Sequence, residues 1–116
     1  MRKLTLVVND TETAVDFYTA VLGGRETMRD CLLDGHIIYA EIEVGDYRLC
    51  VEERTEIPTV RTPAAANPLP CPDPERLAAR CAAAGALIEP GPPPVVRDRD
   101  GYRWALRTAA VSTTAG

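Results

Sequence analysis

The scarcities of this chain narrow its chemistry before any motif does. Histidine occurs once, at His36. The four cysteines (Cys31, Cys50, Cys71 and Cys81) are far apart and form no CxxC pair. That spacing excludes clusters of the zinc-ribbon kind, and a disulfide framework is not expected in a domain of this size. Reduced thiols in a cytoplasm are the expectation. Basic residues number 13 against 17 acidic ones, for a net charge of −4, so no basic stripe is offered to phosphates and nucleic acid is not an expected partner. No apolar run approaches the roughly 20 residues that span a bilayer. Arg2 and Lys3 precede an apolar stretch only as long as a strand, which ends in Asn9-Asp10-Thr11-Glu12, so neither a signal peptide nor a membrane partner is expected.

What is present is organised around Asp10 to Gly24. Ala14, Val15, Phe17, Tyr18, Val21 and Leu22 recur at helical spacings and share one apolar face. Asp10 stands where the helix needs an N-cap oxygen, and Glu12 sits in the first turn, where the helix dipole favours an anion. Gly23 supplies the left-handed closing residue, and Gly24 lets the chain leave at once into a strand. At 116 residues there is room for one domain or two packed half-domains.

Strand one is expected over Lys3 to Val8, and Arg25 to Leu33 reads as a mixed polar strand followed by a two-residue Asp34-Gly35 hairpin. His36 to Val44 alternates, with Ile38, Ala40, Ile42 and Val44 on one face and Tyr39, Glu41 and Glu43 on the other. After the Gly45-Asp46 turn, Tyr47, Leu49 and Val51 alternate against Arg48, Cys50 and Glu52. Thr55 to Asn67 is aperiodic, with Pro58, Pro63 and three alanines, and reads as a linker. Asp73-Pro74 opens a second helix with a buried stripe of Leu77, Ala78, Cys81 and Ala82, ended by Gly85. Short strands follow near Ala86 to Glu89, Val95 to Asp98 and Tyr102 to Thr108, with Asp100-Gly101 turning the last hairpin. Residues 109–116 read as a frayed tail.

The halves are alike: an Asp-capped helix ending in Gly, followed by three strands. This is an internal duplication of a βαβββ unit, an α+β architecture. The expected organisation is a single domain over 1–116, with modules at 1–54 and 68–108, a linker at 55–67 and a tail at 109–116. The second leading strand would be Pro68-Leu69-Pro70-Cys71-Pro72, whose prolines confine it to an edge or an irregular path.

Two motifs, in order, carry a resemblance. The first is Asp10, Ala14, Phe17-Tyr18 and Val21-Leu22-Gly23. The second is Asp98-Arg99-Asp100-Gly101-Tyr102-Arg103-Trp104-Ala105-Leu106. With the duplicated βαβββ order, the chain resembles the vicinal-oxygen-chelate superfamily, the glyoxalase, bleomycin-resistance and ring-cleaving dioxygenase group. Arg99 replaces the proline usual in the second motif. The resemblance implies two βαβββ modules whose mixed or antiparallel sheets curl around a central cleft, commonly within a homodimer. It also implies a divalent metal held by His, Gln or Glu on the first and last strands of each module. Those positions fall on Lys3, on Glu52, in Ala64-Ala65-Ala66 and on Ala105. One carboxylate of four remains, an ammonium replaces an imidazole, and His36 lies outside the set. Catalytic sites need about three protein ligands, so no metal and no cofactor are expected.

Alternation projects Lys3, Thr5, Val7, Tyr39, Glu41, Glu43, Arg48, Cys50, Glu52, Arg103, Ala105 and Arg107 onto the face opposite the helices. Such a face is ordinarily polar toward water, and its Arg and Glu residues could equally be cross-strand ion pairs. Trp104 shares the parity of Leu106 and reads as core, while Asp98 and Asp100 read as turn residues. Cys50 has no histidine in reach to activate it. If the sheet curls as the resemblance implies, the same side chains line a pocket, and Tyr39, Glu41, Arg48, Glu52, Arg103 and Arg107 become the candidate ligand-binding set. The resemblance then implies a metal-independent protein that binds a small organic ligand, sequestering an antibiotic or other natural product. The alternative is a metal-free isomerase, lyase or cyclase with a cleft carboxylate as general base and arginines as anion stabilisers. A structural homodimer with a vestigial cleft is a third reading.

The ligand count makes a prediction of its own. After exhaustive dialysis, elemental analysis should find no stoichiometric zinc, nickel, iron or manganese; one equivalent of any of them per chain would contradict it.

Overall fold

The structure, a computed structural model, describes residues 2–54 and 65–108. The tail at 109–116 and most of the expected linker lie outside the described residues. The described residues fall into two compact units, one within 2–54 and the other within 65–108.

In the first unit the order is β1 (Arg2–Val8), α1 (Thr11–Asp16), β2 (Arg25–Cys31), β3 (Ile37–Val44) and β4 (Tyr47–Glu53). They form one four-stranded sheet in the order β1-β4-β3-β2. β1 runs parallel to β4, and the other pairs are antiparallel, so the sheet is mixed. In the second unit β5 (Asn67–Cys71), α2 (Pro74–Ala83), β6 (Leu87–Glu89), β7 (Val95–Arg97) and β8 (Arg103–Thr108) repeat that plan. Their sheet order is β5-β8-β7-β6, again with the first strand parallel to the last. The α+β duplication is therefore present at the level of topology. Asn67, expected in the linker, opens β5 instead. β5 lies at a sheet edge. Pro68 and Pro70 share one side of it, which an edge position can leave outside the ladder.

The helices form where the caps stand. The Asp10 side chain accepts from Thr13 N at 3.2 Å, and Asp73 accepts from Arg76 N at 3.2 Å, with Pro74 in the first turn. α1 does not keep one pitch. From Phe17 to Val21 the coil widens to π-type, and Leu22 N donates to Phe17 O at 3.1 Å. Ala14, Val15 and Tyr18 are buried, while Phe17, where the wider turn begins, and Val21 and Leu22 at its end are half-buried. Under α1 lie Leu6, Val8, Ala40, Ile42, Leu49 and Val51, all buried. In the second unit Leu69, Ala78, Cys81, Val96, Trp104 and Leu106 form the core, with Trp104 fully buried. Leu77 is only half-buried and Ala82 is exposed, so the α2 stripe is narrower than its spacing suggests.

The Asp34-Gly35 hairpin closes on three loop residues rather than the expected two, and Asp100-Gly101 turns the last hairpin in the same way. Leu32 N donates to His36 O at 2.8 Å and Gly35 N to Leu32 O at 2.9 Å, leaving a three-residue loop over 33–35. Asp98, Gly101 and Tyr102 repeat that pattern at 2.9 and 3.1 Å. A glycine at positive φ at the third loop position (Gly35 at 91°, Gly101 at 93°) is what this bulged hairpin requires. Gly45-Asp46 is a two-residue turn, with Val44 facing Tyr47.

Gly24 serves packing. A Cβ there would stand 2.6 Å from Val44 Cγ2, 2.7 Å from Tyr18 O and 2.9 Å from Ile42 Cγ2. Gly35 has open space and is constrained only by its φ. Gly24→Ala should therefore cost about 3 kcal/mol through overpacking against backbone and core. Gly35→Ala should cost about 1 kcal/mol in left-handed strain. Urea unfolding midpoints read the difference, and equal shifts would contradict this account.

Candidate functional site

With one face of each sheet closed by its helix, the side chains of opposite parity form the other face. In the first unit the register arranges that face in three rungs across the strands, in the order β1, β4, β3, β2. The first is Lys3, Arg48, Glu43 and Arg25. The second is Thr5, Cys50, Glu41 and Met28, and the third is Val7, Glu52, Tyr39 and Asp30. Four of the six expected site residues, Tyr39, Glu41, Arg48 and Glu52, thus share one surface. On the first rung Glu43 sits between two arginines, 3.1 Å from Arg25 Nη2 and 3.9 Å from Arg48 Nη2. These side chains are largely or partly exposed, so the pairs hold geometry more than they stabilise, contributing under about 1 kcal/mol each.

Tyr39 is the most constrained polar group of the face. Its hydroxyl donates to Glu41 Oε2 at 2.8 Å. The Cys50 sulfur beside it, the Glu41 carboxylate and burial, in that order, push the phenol well above the ordinary tyrosine range. Tyr39 therefore keeps its proton at neutral pH and acts as a hydrogen-bonding group. Cys50 is buried, at 2% exposure, beneath this contact and does not serve as an accessible nucleophile.

In the second unit Arg103 and Arg107 share the parity of Ala105, Arg97, Glu89 and Leu87. Arg103 is committed to Glu89 by two hydrogen bonds, Nε to Oε2 at 2.9 Å and Nη2 to Oε1 at 2.7 Å. Arg97 Nη2 stands 3.6 Å from the same carboxylate. Hydrogen bonding from Arg103 lowers the Glu89 pKa and correspondingly raises that of Arg103. Arg107 is exposed at the far end of β8.

Sequence reasoning missed Asp30, Arg25 and Glu89 as members of these faces. Simple alternation along β2 cannot locate the first two, because the register shifts between Glu26 and Met28. Glu89 reaches Arg103 across the intervening β7, which a pattern of near neighbours does not reveal. Asp98 is a turn residue: its carboxylate accepts from Asp100 N and Tyr102 N, each at 2.9 Å. His36 Nε2 lies 2.5 Å from Glu53 Oε2, away from the three rungs.

A divalent metal does not fit the positions that the resemblance assigns to its ligands. Lys3 faces Arg48 across the β1–β4 pair, Glu52 lies beside Val7 and Tyr39, and Ala66 and Ala105 carry no donor. Among the described residues no three His, Cys, Asp or Glu side chains stand together as a metal site. No helix of the described residues is long and apolar enough to cross a membrane.

Among solved structures, the chain is similar to TioX from Micromonospora sp. ML1, at 26% identity and a TM-score of 0.66, covering 90% of this chain and 94% of that one. It is similar to the fosfomycin resistance protein FosX from Mesorhizobium loti, at 18% identity and a TM-score of 0.74, covering 96% and 92%. It is also similar to FosX from Listeria monocytogenes complexed with Mn(II) and sulfate, at 15% identity and a TM-score of 0.73, covering 96% and 90%. At such identities the FosX likenesses speak for the fold alone. No curated protein sequence matches the chain. The profile of the Glyoxalase/Bleomycin resistance protein/Dioxygenase superfamily matches residues 2–106, and the chain belongs to that superfamily.

Proposed function

We propose that this protein is a metal-independent binder of a small organic molecule, which it sequesters in the cytoplasm as a homodimer, the ligand being an antibiotic or another natural product. The observation that carries the reading is the polar face of the first sheet, where Tyr39, Glu41, Arg48 and Glu52 are brought together. The family's metal positions meanwhile offer one carboxylate, Glu52. A neutral, hydrogen-bonded Tyr39 suits recognition better than proton abstraction. Arg103 enters as the anchor of Glu89, and Arg107 as an exposed cation on the face of the second sheet. The two repeats are read as halves of one binding domain. The FosX neighbours are themselves fosfomycin resistance proteins. Four free cysteines among the described residues suit a reducing compartment. Sheet edges at β1 and β5 suit pairing between copies.

Native mass spectrometry of freshly purified protein tests the reading in one spectrum. The expected mass is that of two chains plus a retained small molecule. Hydrogen bonds to charged groups are worth about 1.5–3 kcal/mol, so Arg48→Ala and Glu52→Ala should each weaken retention about tenfold or more. A single chain with no added mass, or variants as fully occupied as the unaltered protein, would overturn it.

A further inference from the structure

The charges on the polar face of the first sheet are sorted by sign along the strands. The first rung places three cations, Lys3, Arg48 and Arg25, around the one carboxylate of Glu43. The third rung itself carries no cation and places Glu52 and Asp30 on either side of Tyr39, while Arg54, just beyond it on the chain, turns its guanidinium to the Val7 carbonyl, Nη2 donating at 3.3 Å. Glu43 is already shared between Arg25 and Arg48. Lys3, Glu52 and Asp30 have no ion-pair partner among the described residues. Between the two ends stand Thr5, Cys50 and Met28, uncharged, with Glu41 held by the Tyr39 hydroxyl. The rungs thus carry cations in excess at one end, where Glu43 alone answers Lys3, Arg48 and Arg25, and two carboxylates without an ion pair at the other, with the Arg54 guanidinium engaged by the Val7 carbonyl. Arg48 and Glu52 are four residues apart on β4, about 13 Å at roughly 3.3 Å per residue.

Ion pairs that only held the sheet together would place opposite charges on the same rung, as directly facing cross-strand partners. Here Lys3 faces Arg48, and Glu52 faces Tyr39 rather than a cation. Two facing cations repel each other, and a third component with negative charge relieves them. The ring of Tyr39, with its hydroxyl turned to Glu41 and Cys50, also suits an organic cation held by the flanking carboxylates.

We propose that the ligand of this face is an elongated zwitterion, with its anionic group at the Lys3–Arg48 end and its cationic group between Glu52 and Asp30, the two charges roughly 13–15 Å apart. This proposal rests on the reading of the face as a binding surface and specifies what class of molecule it takes.

Tetra-alanine with free termini is a suitable probe, since four extended residues span about 13–14 Å. It is titrated into isotopically labelled full-length protein and followed by amide chemical shifts, beside its N-acetylated and its C-amidated forms. The free peptide should shift amides of β1, β3 and β4. Blocking either terminus should weaken binding about threefold to tenfold, the range expected for partly exposed charges. Glu52→Gln should abolish the penalty of N-acetylation while leaving that of amidation, and Arg48→Gln should do the reverse. Blocked peptides that bind this face as tightly as the free one would overturn the zwitterion and leave the face as a binding surface. Shifts confined to other regions, or absent for all three peptides, would overturn the zwitterion, and shifts elsewhere would also count against the face itself.

Discussion

The parity of the β-strands governs everything else in this molecule. Each helix offers a single apolar face, and each sheet must lay one of its own faces against it to exclude water. Leu6, Leu49, Ile42 and Val51 are fully buried in the first unit, and Trp104, Leu106 and Val96 in the second. Once those residues face the helix, their neighbours have no choice but to face away. A slip of one residue would put Glu41 and Glu52 under α1, which no helix of this composition could tolerate. The polar face is therefore as strongly specified as the core, although most of its own contacts are weak.

The two polar faces that result have different characters. In the second unit the Arg103–Glu89 fork, with Arg97 close by, spends its charges within the sheet. In the first unit Glu43 is shared between Arg25 and Arg48, and Tyr39 is held by hydrogen bonds to Glu41 and Cys50 that keep it protonated. Its ionisable neighbours Lys3, Arg48, Glu52 and Asp30 are exposed. This constrained phenol and the carboxylates of the third rung, which have no ion pair among the described residues, support the proposed recognition surface. The donor set at the family's metal positions points the same way: an ammonium, one carboxylate and alanines are poor company for a divalent cation.

The duplicated fold was legible because its signals are local and redundant. Asp10 and Asp73 cap helices, Gly23 and Gly85 end them, and strict alternation from Tyr39 to Val44 and from Tyr47 to Glu52 assigns faces without reference to anything distant. Where geometry depends on nonlocal packing, the sequence was silent. The widening of α1 at Phe17 brings Tyr18 O against Gly24, and the buried Thr11 hydroxyl donates to the Ile37 carbonyl, neither of which has a sequence pattern. The Asp-Gly pairs announced hairpins but not the third loop residue. The register shift near Thr27 broke the alternation of β2, so Asp30 and Arg25 could not be assigned to the polar face by counting. Four of the six expected site residues fall together on one face, and the fork that occupies Arg103 became visible only once β6 and β8 were placed around β7.

The central claim is that the first sheet meets its ligand with the face opposite α1 and without a metal. A crystal structure of the protein as isolated, with whatever small molecule it retains, tests this most directly. The account predicts organic density against Tyr39, Arg48 and Glu52, with no metal ion between the protein and the molecule. Density coordinated through a metal, or lodged away from the three rungs, would contradict it.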